Sequence, residues 1–156
     1  MARRRRAERR VTQPDPRFGS EELARFINRV MIGGKKNTAR RNVYDALDML
    51  AQRLNMNALE AFQQAMSNST PLLEVRPRRV GGATYQVPNE VRPERREALA
   101  QRWVVSAARS RSGQPIARKL FTELLDAANN TGAAVRRKDE LQRMAEANRA
   151  YAHFRW

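Results

Sequence analysis

Cysteine is absent from this 156-residue chain and histidine occurs once. With no thiolate there is no disulfide and no sulfur-ligated metal centre, a composition that agrees with a reducing compartment. The one histidine, His153, stands near the C-terminus with no cysteine to join it, so no nucleophile and base fall together. The reading is a protein that is not an enzyme, with no metal and no cofactor. Long apolar runs are missing as well. None approaches the roughly 20 residues that cross a bilayer, and the opening MARRRRAERR leads into no apolar segment of the signal-peptide kind. No membrane partner is expected.

Aromatic residues number ten (three Tyr, five Phe, two Trp). Phe26, Phe62, Trp103 and Phe121 lie on helical stripes, where burial in a core explains them. Among the others, Phe18, Tyr85, Tyr151, Phe154 and Trp156 are the ones left for a ligand, too few for the stacking platform of a single-strand reader. Acidic pairs are equally uninformative: Glu21-Glu22 and Asp139-Glu140 stand where first-turn carboxylates stabilise a helix dipole.

Positive charge is what the chain has in excess. Its 31 Lys+Arg against 16 Asp+Glu leave +15 at pH 7, mostly as arginine, whose planar fork matches phosphate oxygens. The partner indicated is a polyanion, nucleic acid first. With few rings to stack, binding should rest on phosphate contacts and on the shape of a folded RNA or DNA, and should be strongly salt-dependent.

Along the chain, residues 1–17 hold seven arginines, among them Arg3, Arg4, Arg5, Arg6, Arg9 and Arg10, and almost nothing apolar. This segment reads as an arm, disordered when free. The remainder, 18–156, reads as one all-α domain: a single bundle of about six helices with one protruding β-hairpin. Ser20 offers an N-cap to a helix with Leu23, Phe26, Ile27, Val30 and Met31 on one face, ended by Gly33-Gly34. A second helix is predicted from near Lys36 to Leu54, a third after the Asn57 cap until Pro71, a fourth from Pro93 to before Gly113. A fifth follows Pro115 and runs to Asn130, and a weaker sixth carries Val135, Leu141, Met144, Ala145 and Asn148 before an end, NRAYAHFRW, that should fray.

Between the third and fourth helices lies EVRPRRVGGATYQVP, residues 74–88. Apolar residues alternate with charged ones, and Gly81-Gly82 suits a tight reversal, so this is a hairpin at about 73–88. Pro77 donates no ladder bond, and two strands alone are marginal in water.

The cations gather where helices end: Lys35 and Lys36; Arg76, Arg78 and Arg79; Arg92, Arg95 and Arg96; Arg109 and Arg111; Arg136, Arg137 and Lys138. A solvating set would spread along helix faces, whereas clustering at ends suits a shaped anionic surface met by several loops at once. GGKK at 33–36 lacks the first glycine and the Ser/Thr of a nucleotide-cradling loop, but it brings lysines and a helix N-terminus toward a backbone phosphate. Three classes fit these residues: a structural RNA-binding protein, a DNA reader and an enzyme acting on RNA. The first leads, because a DNA reader places Arg, Asn or Gln on one recognition helix and an enzyme needs an acid-base pair.

MARRRRAE at 1–8, GGKK at 33–36, EVRPRRVGGATYQVP at 74–88 and RMAEANRAYAHFRW at 143–156 together resemble bacterial small-subunit ribosomal protein seven, across nearly the whole chain. The resemblance implies a cytoplasmic, ribosomal protein that is a primary binder of the 3′ major domain of small-subunit ribosomal RNA and organises the head. It also implies a ribbon near the exit-site transfer RNA and the messenger path, with neighbouring ribosomal proteins of head and platform. On that basis Arg3, Arg4, Arg5, Arg6, Arg9, Arg10, Lys35, Lys36, Arg76, Arg92, Arg95, Arg96, Arg111, Arg136, Arg137 and Lys138 are candidate ribosomal RNA contacts. Arg78, Arg79, Gly81, Gly82 and Tyr85 are the candidates nearest transfer RNA and messenger.

Overall fold

The computed structural model describes residues 11–154, without the side chain of Phe154. Arg3, Arg4, Arg5, Arg6, Arg9, Arg10 and Trp156 lie outside the described residues. The elements follow in the order α1 (Glu21–Val30), α2 (Lys36–Leu54), α3 (Ala58–Ser69), β1 (Leu73–Val80), β2 (Ala83–Glu90), α4 (Pro93–Ser110), α5 (Ile116–Ala128), α6 (Gly132–Ala147) and a 3-10 helix (Arg149–Phe154).

Local chemistry sets most of these bounds. The Ser20 hydroxyl accepts from the Leu23 N–H at 3.3 Å, and the Asn57 side-chain carbonyl oxygen accepts from Leu59 N–H at 3.0 Å, so α1 and α3 each begin on a side-chain cap. Pro93 is the first residue of α4, where its missing N–H costs nothing. At the end of α2, Asn55 turns left-handed at φ 52° and halts the helix. The first helix stops at Val30, three residues short of Gly33, because Met31 is already extended.

α5 is the central helix: it packs against α2, α3, α4 and α6, while α1 lies across α2 and α4. Phe26 of α1 and Phe62 of α3 are both fully buried and meet edge to face with ring centroids 5.2 Å apart. Around them Leu23, Ile27, Leu47, Leu50, Leu120 and Leu124 have no measurable exposure beyond 1%. Trp103 and Phe121, expected in the same core, are only half-buried and pack on its edge. Their stripes are correct, but each sits at the margin of its stripe. Side chains of α3 also close α5: Gln64 donates to Ala128 O at 3.1 Å, and Asn68 to Ala127 O at 2.9 Å.

β1 and β2 form one antiparallel ladder from Leu73↔Glu90 to Val80↔Ala83, with the second strand two residues longer at the base, through Asn89 and Glu90, than the alternation suggests. Gly81 (φ 57°) and Gly82 (φ 89°) occupy the two turn positions that require positive φ. As far as Phe154 the C-terminal segment forms a 3-10 helix where a frayed end is expected. Its 3-10 helix lies on β2, both strands touch α6, and the rings of Tyr85 and Tyr151 meet at a tilt of 45° with centroids 5.1 Å apart. The ribbon's base is thereby held on the bundle, with Val87 and Val91 buried.

Candidate nucleic-acid interface

At the ribbon's base a buried carboxylate organises the cations. Glu74, 8% exposed, is bonded by Arg76 from its own strand and by the Arg95 Nε of α4 at 2.8 Å. Burial pushes its carboxyl up, and the hydrogen bonds from Arg95 and Arg76 more than offset that, holding it below the usual carboxylate range. Arg96 donates from Nε to Val91 O at 2.6 Å. Arg76, Arg95 and Arg96 are therefore anchored at the ribbon-to-α4 joint, with half of the Arg76 and Arg95 side chains still in solvent. Arg92, the N-cap residue of α4, is exposed beside them.

Further out, the pleat separates two arginines that are adjacent in the sequence. Arg78 pairs with Tyr85 and shares its face, which carries the Tyr151 contact, while Arg79 pairs with Thr84 on the opposite face. The tip thus presents charge to both sides, and Arg78, Arg79, Gly81 and Gly82 are all exposed.

The α1–α2 loop forms a second site. Gly33 (φ 59°) and Gly34 (φ 74°) turn the chain, with Ile32, Lys35 and Lys36 exposed around them. Arg109 of α4 donates from Nη2 to Val30 O at 3.2 Å, closing the end of α1 and bringing the C-terminus of α4 beside this loop.

Arg111 proves to be bound inward. It donates to Glu123 Oε2 from Nε at 3.1 Å and from Nη2 at 2.6 Å, and to Asp126 Oδ2 at 2.5 Å. Glu123 is fully buried, and its other oxygen accepts the Ala134 N–H at 3.0 Å. One carboxylate therefore ties the end of α4 and the start of α6 to α5. Partial burial lowers the Arg111 pKa and the two carboxylates more than offset it, so the guanidinium is held firmly charged. From this anchored start α6 presents Arg136 and Arg137 to solvent, Arg137 with Glu140 at 3.2 Å, whereas Lys138 is half-buried and 3.6 Å from Asp139.

A third anchor has almost no signature in the sequence. Asp15, 3% exposed, accepts from the Tyr44 hydroxyl at 2.8 Å and from the backbone N–H of Arg17 and Phe18. Arg17 lies 5.0 Å from the Phe18 ring and 5.1 Å from that of Tyr44, and forks onto both oxygens of Asp48 at 3.0 and 2.8 Å. Asp15 and Arg17, at the end of the segment 1–17 that reads as the arm, are therefore fastened to α2, and Phe18 is packed rather than left for a ligand. The only signal is an Asp-Pro-Arg-Phe stretch and a helix bearing Tyr44 and Asp48, residues 29 to 33 positions away.

Among the described residues no group of three His, Cys, Asp or Glu is placed to hold a metal ion, and no helix is long and apolar enough to cross a membrane. The arrangement is a helical body with exposed cations on a ribbon and at helix ends.

A family model described as ribosomal protein S7p/S5e matches residues 2–149. The chain belongs to this family. Its relatives in the S7p/S5e family include the small ribosomal subunit protein uS7 of Thermomicrobium roseum, 59% identical over 156 residues and covering all of both chains. That of Roseiflexus sp. strain RS-1 is 55% identical over 154 residues, covering 99% of this chain and 98% of the relative. That of Fervidobacterium nodosum is 53% identical over 154 residues, covering 99% of each. As an S7p/S5e protein the chain is a structural, non-enzymatic component of the small subunit of the cytoplasmic ribosome.

Proposed function

We propose that this ribosomal protein binds the 3′ major domain of small-subunit ribosomal RNA directly and organises the subunit's head. In this reading Lys35, Lys36, Arg76, Arg92, Arg95, Arg96, Arg136, Arg137 and Lys138 meet the RNA, together with the arm's Arg3, Arg4, Arg5, Arg6, Arg9 and Arg10. The ribbon, through Arg78, Arg79, Gly81, Gly82 and Tyr85, lies by the exit-site transfer RNA and the messenger path. Other ribosomal proteins of head and platform are its neighbours.

One observation carries the reading. Exposed cations stand at the α1–α2 loop, at the ribbon-to-α4 joint and on the first turns of α6, each beside a buried polar or backbone anchor that fixes its place. Charge held at several fixed points suits a folded RNA surface more than one groove of a duplex. Arg111 supports α6 in this scheme and is not itself a leading contact.

Binding of the full chain to the 3′ major domain fragment, to a 5′ domain fragment and to duplex DNA, at one moderate salt concentration, tests the proposal. Preference for the first by about a hundredfold or more, toward the scale by which specific binding exceeds non-specific, is the expected result. Equal affinity for all three would reduce the protein to a non-specific polycation.

A further inference from the structure

The outward face of α2 carries a cationic stripe separate from the loop clusters. Asn37, Arg40, Arg41 and Tyr44 recur at i, i+3, i+4 and i+7 and so share one side of the helix's first two turns. Ala39, Val43, Ala46 and Leu47 are buried on the other. The stripe lines an open cleft of about 400 Å³ that Arg17, Asp45 and Asp48 also line.

Arg40 is the anomaly in it. Its Nε is buried and has no hydrogen-bond partner, whereas buried donors are almost always satisfied, and an acceptor from outside the protein is one way to complete an exception. The nearby acids do not supply one. Asp48 is occupied by both guanidinium nitrogens of Arg17, and Asp15 by Tyr44 and two backbone N–H groups. No side chain caps the N-terminus of α2, and no acid stands in its first turn, so the helix dipole adds positive potential at the same end. Arg41 is exposed on the cleft's rim, and Asp45 is the one exposed carboxylate of the cleft that is left to oppose an anion there.

We propose that this cleft is a phosphodiester site, in which Arg40 and Arg41 clamp a backbone phosphate of the RNA. It rests on the reading that the protein binds ribosomal RNA. A phosphate entering from solvent meets the outer guanidinium nitrogens, and rotation of the Arg40 side chain toward it gives Nε–H the second oxygen, the side-on fork that arginine forms with phosphate. Asn37 donates its amide to the same group. The site extends the Lys35-Lys36 cluster by little more than one turn along α2.

The test uses the full-length chain and the 3′ major domain RNA, with Arg40→Gln, Arg41→Gln, their double variant and Asp45→Asn, each checked by thermal unfolding. Either arginine variant should bind about 3–10-fold more weakly, and the double variant should lower the log-affinity against log-salt slope by about one. Asp45→Asn, which removes the opposing charge, should bind about twofold more tightly. Inorganic phosphate alone should compete only weakly, since the RNA brings many phosphates at once. If Arg40→Gln fails to fold, Arg41→Gln and Asp45→Asn decide, because both positions are exposed. Unchanged affinity and slope in those variants, with the parent protein still binding, overturns the phosphate site and leaves the ribosomal RNA reading intact. Failure of the parent protein to bind would instead refute that reading.

Discussion

Replacing Glu123 by glutamine tests whether one carboxylate joins three helices. The side chain is fully buried and takes three hydrogen bonds, two from Arg111 and one from the Ala134 N–H. Removing one partner of a buried pair costs about 3–5 kcal/mol. Two features reduce that here: Arg111 is 34% exposed, so water can hydrate it, and it keeps Asp126 at 2.5 Å. The amide oxygen also still accepts one bond. A loss of about 2–3 kcal/mol follows, which for a chain of this size lowers Tm by roughly 4–12 °C. Urea unfolding gives the free energy, and a double-mutant cycle with Arg111→Met separates the pair from its surroundings. Replacing both, as Glu123→Leu with Arg111→Met, should cost less than the two single changes added together. A Glu123→Gln loss below about 0.5 kcal/mol, a value typical of exposed positions, or strict additivity in the cycle, would show that the hub is incidental.

Glu74 should make the ribbon's base sensitive to acid. Its folded pKa lies below the unfolded value, so its contribution is present above the ordinary carboxylate range and is lost as pH falls through the depressed value. Amide exchange at Arg76 and Val87, which face each other in the ladder, should accelerate below about pH 4, and in Glu74→Gln that acid step should vanish; a step that persists in the variant would assign it elsewhere. Truncation in the core should separate two grades of burial. Phe62→Ala should cost about 3–5 kcal/mol and Trp103→Ala, at the margin, less, and calorimetric scans giving the reverse order would contradict the packing described. Replacing residues 77–86 by a short turn, which spares the buried base at Val87, should leave helicity by circular dichroism unchanged and speed exit-site transfer RNA release from assembled subunits. Unchanged release would leave the tip without that role.

Helix bounds are legible in the sequence wherever a single residue decides them. Ser20, Asn57, Pro93 and Pro115 mark starts in the sequence and stand at starts in the structure, because caps and proline act within one turn. The Gly81-Gly82 reversal is legible for the same reason, since positive φ selects its residues locally. Interactions made across the chain are not. The fraying expected after Asn148 is replaced by a 3-10 helix laid on β2, a pairing of Tyr85 with Tyr151 that no window of sequence contains. The same holds for Asp15 with Tyr44 and for Arg111 with Glu123. Arg111 reads as a ribosomal RNA contact because a basic residue before a loop looks alike whether it faces RNA or a carboxylate from the next helix. Arg40 and Arg41 are adjacent in the sequence, but the cleft that they line with Asn37 and Tyr44 is set by spacing along α2 and by Arg17 from before α1.

The central claim is that cations fixed at helix ends, and not net charge alone, hold the ribosomal RNA. Two variants of equal charge test it: Lys35→Gln with Lys36→Gln at the α1–α2 loop, and Arg102→Gln with Arg143→Gln on exposed helix faces. The measurement is the salt dependence of binding to the 3′ major domain fragment. The loop variant should lower the slope by about 1.4–1.8, at about 0.7–0.9 for each of two phosphates no longer neutralised, while the helix-face variant stays within error of the parent. Equal reductions in both would mean that the RNA responds to total charge, and would contradict the account.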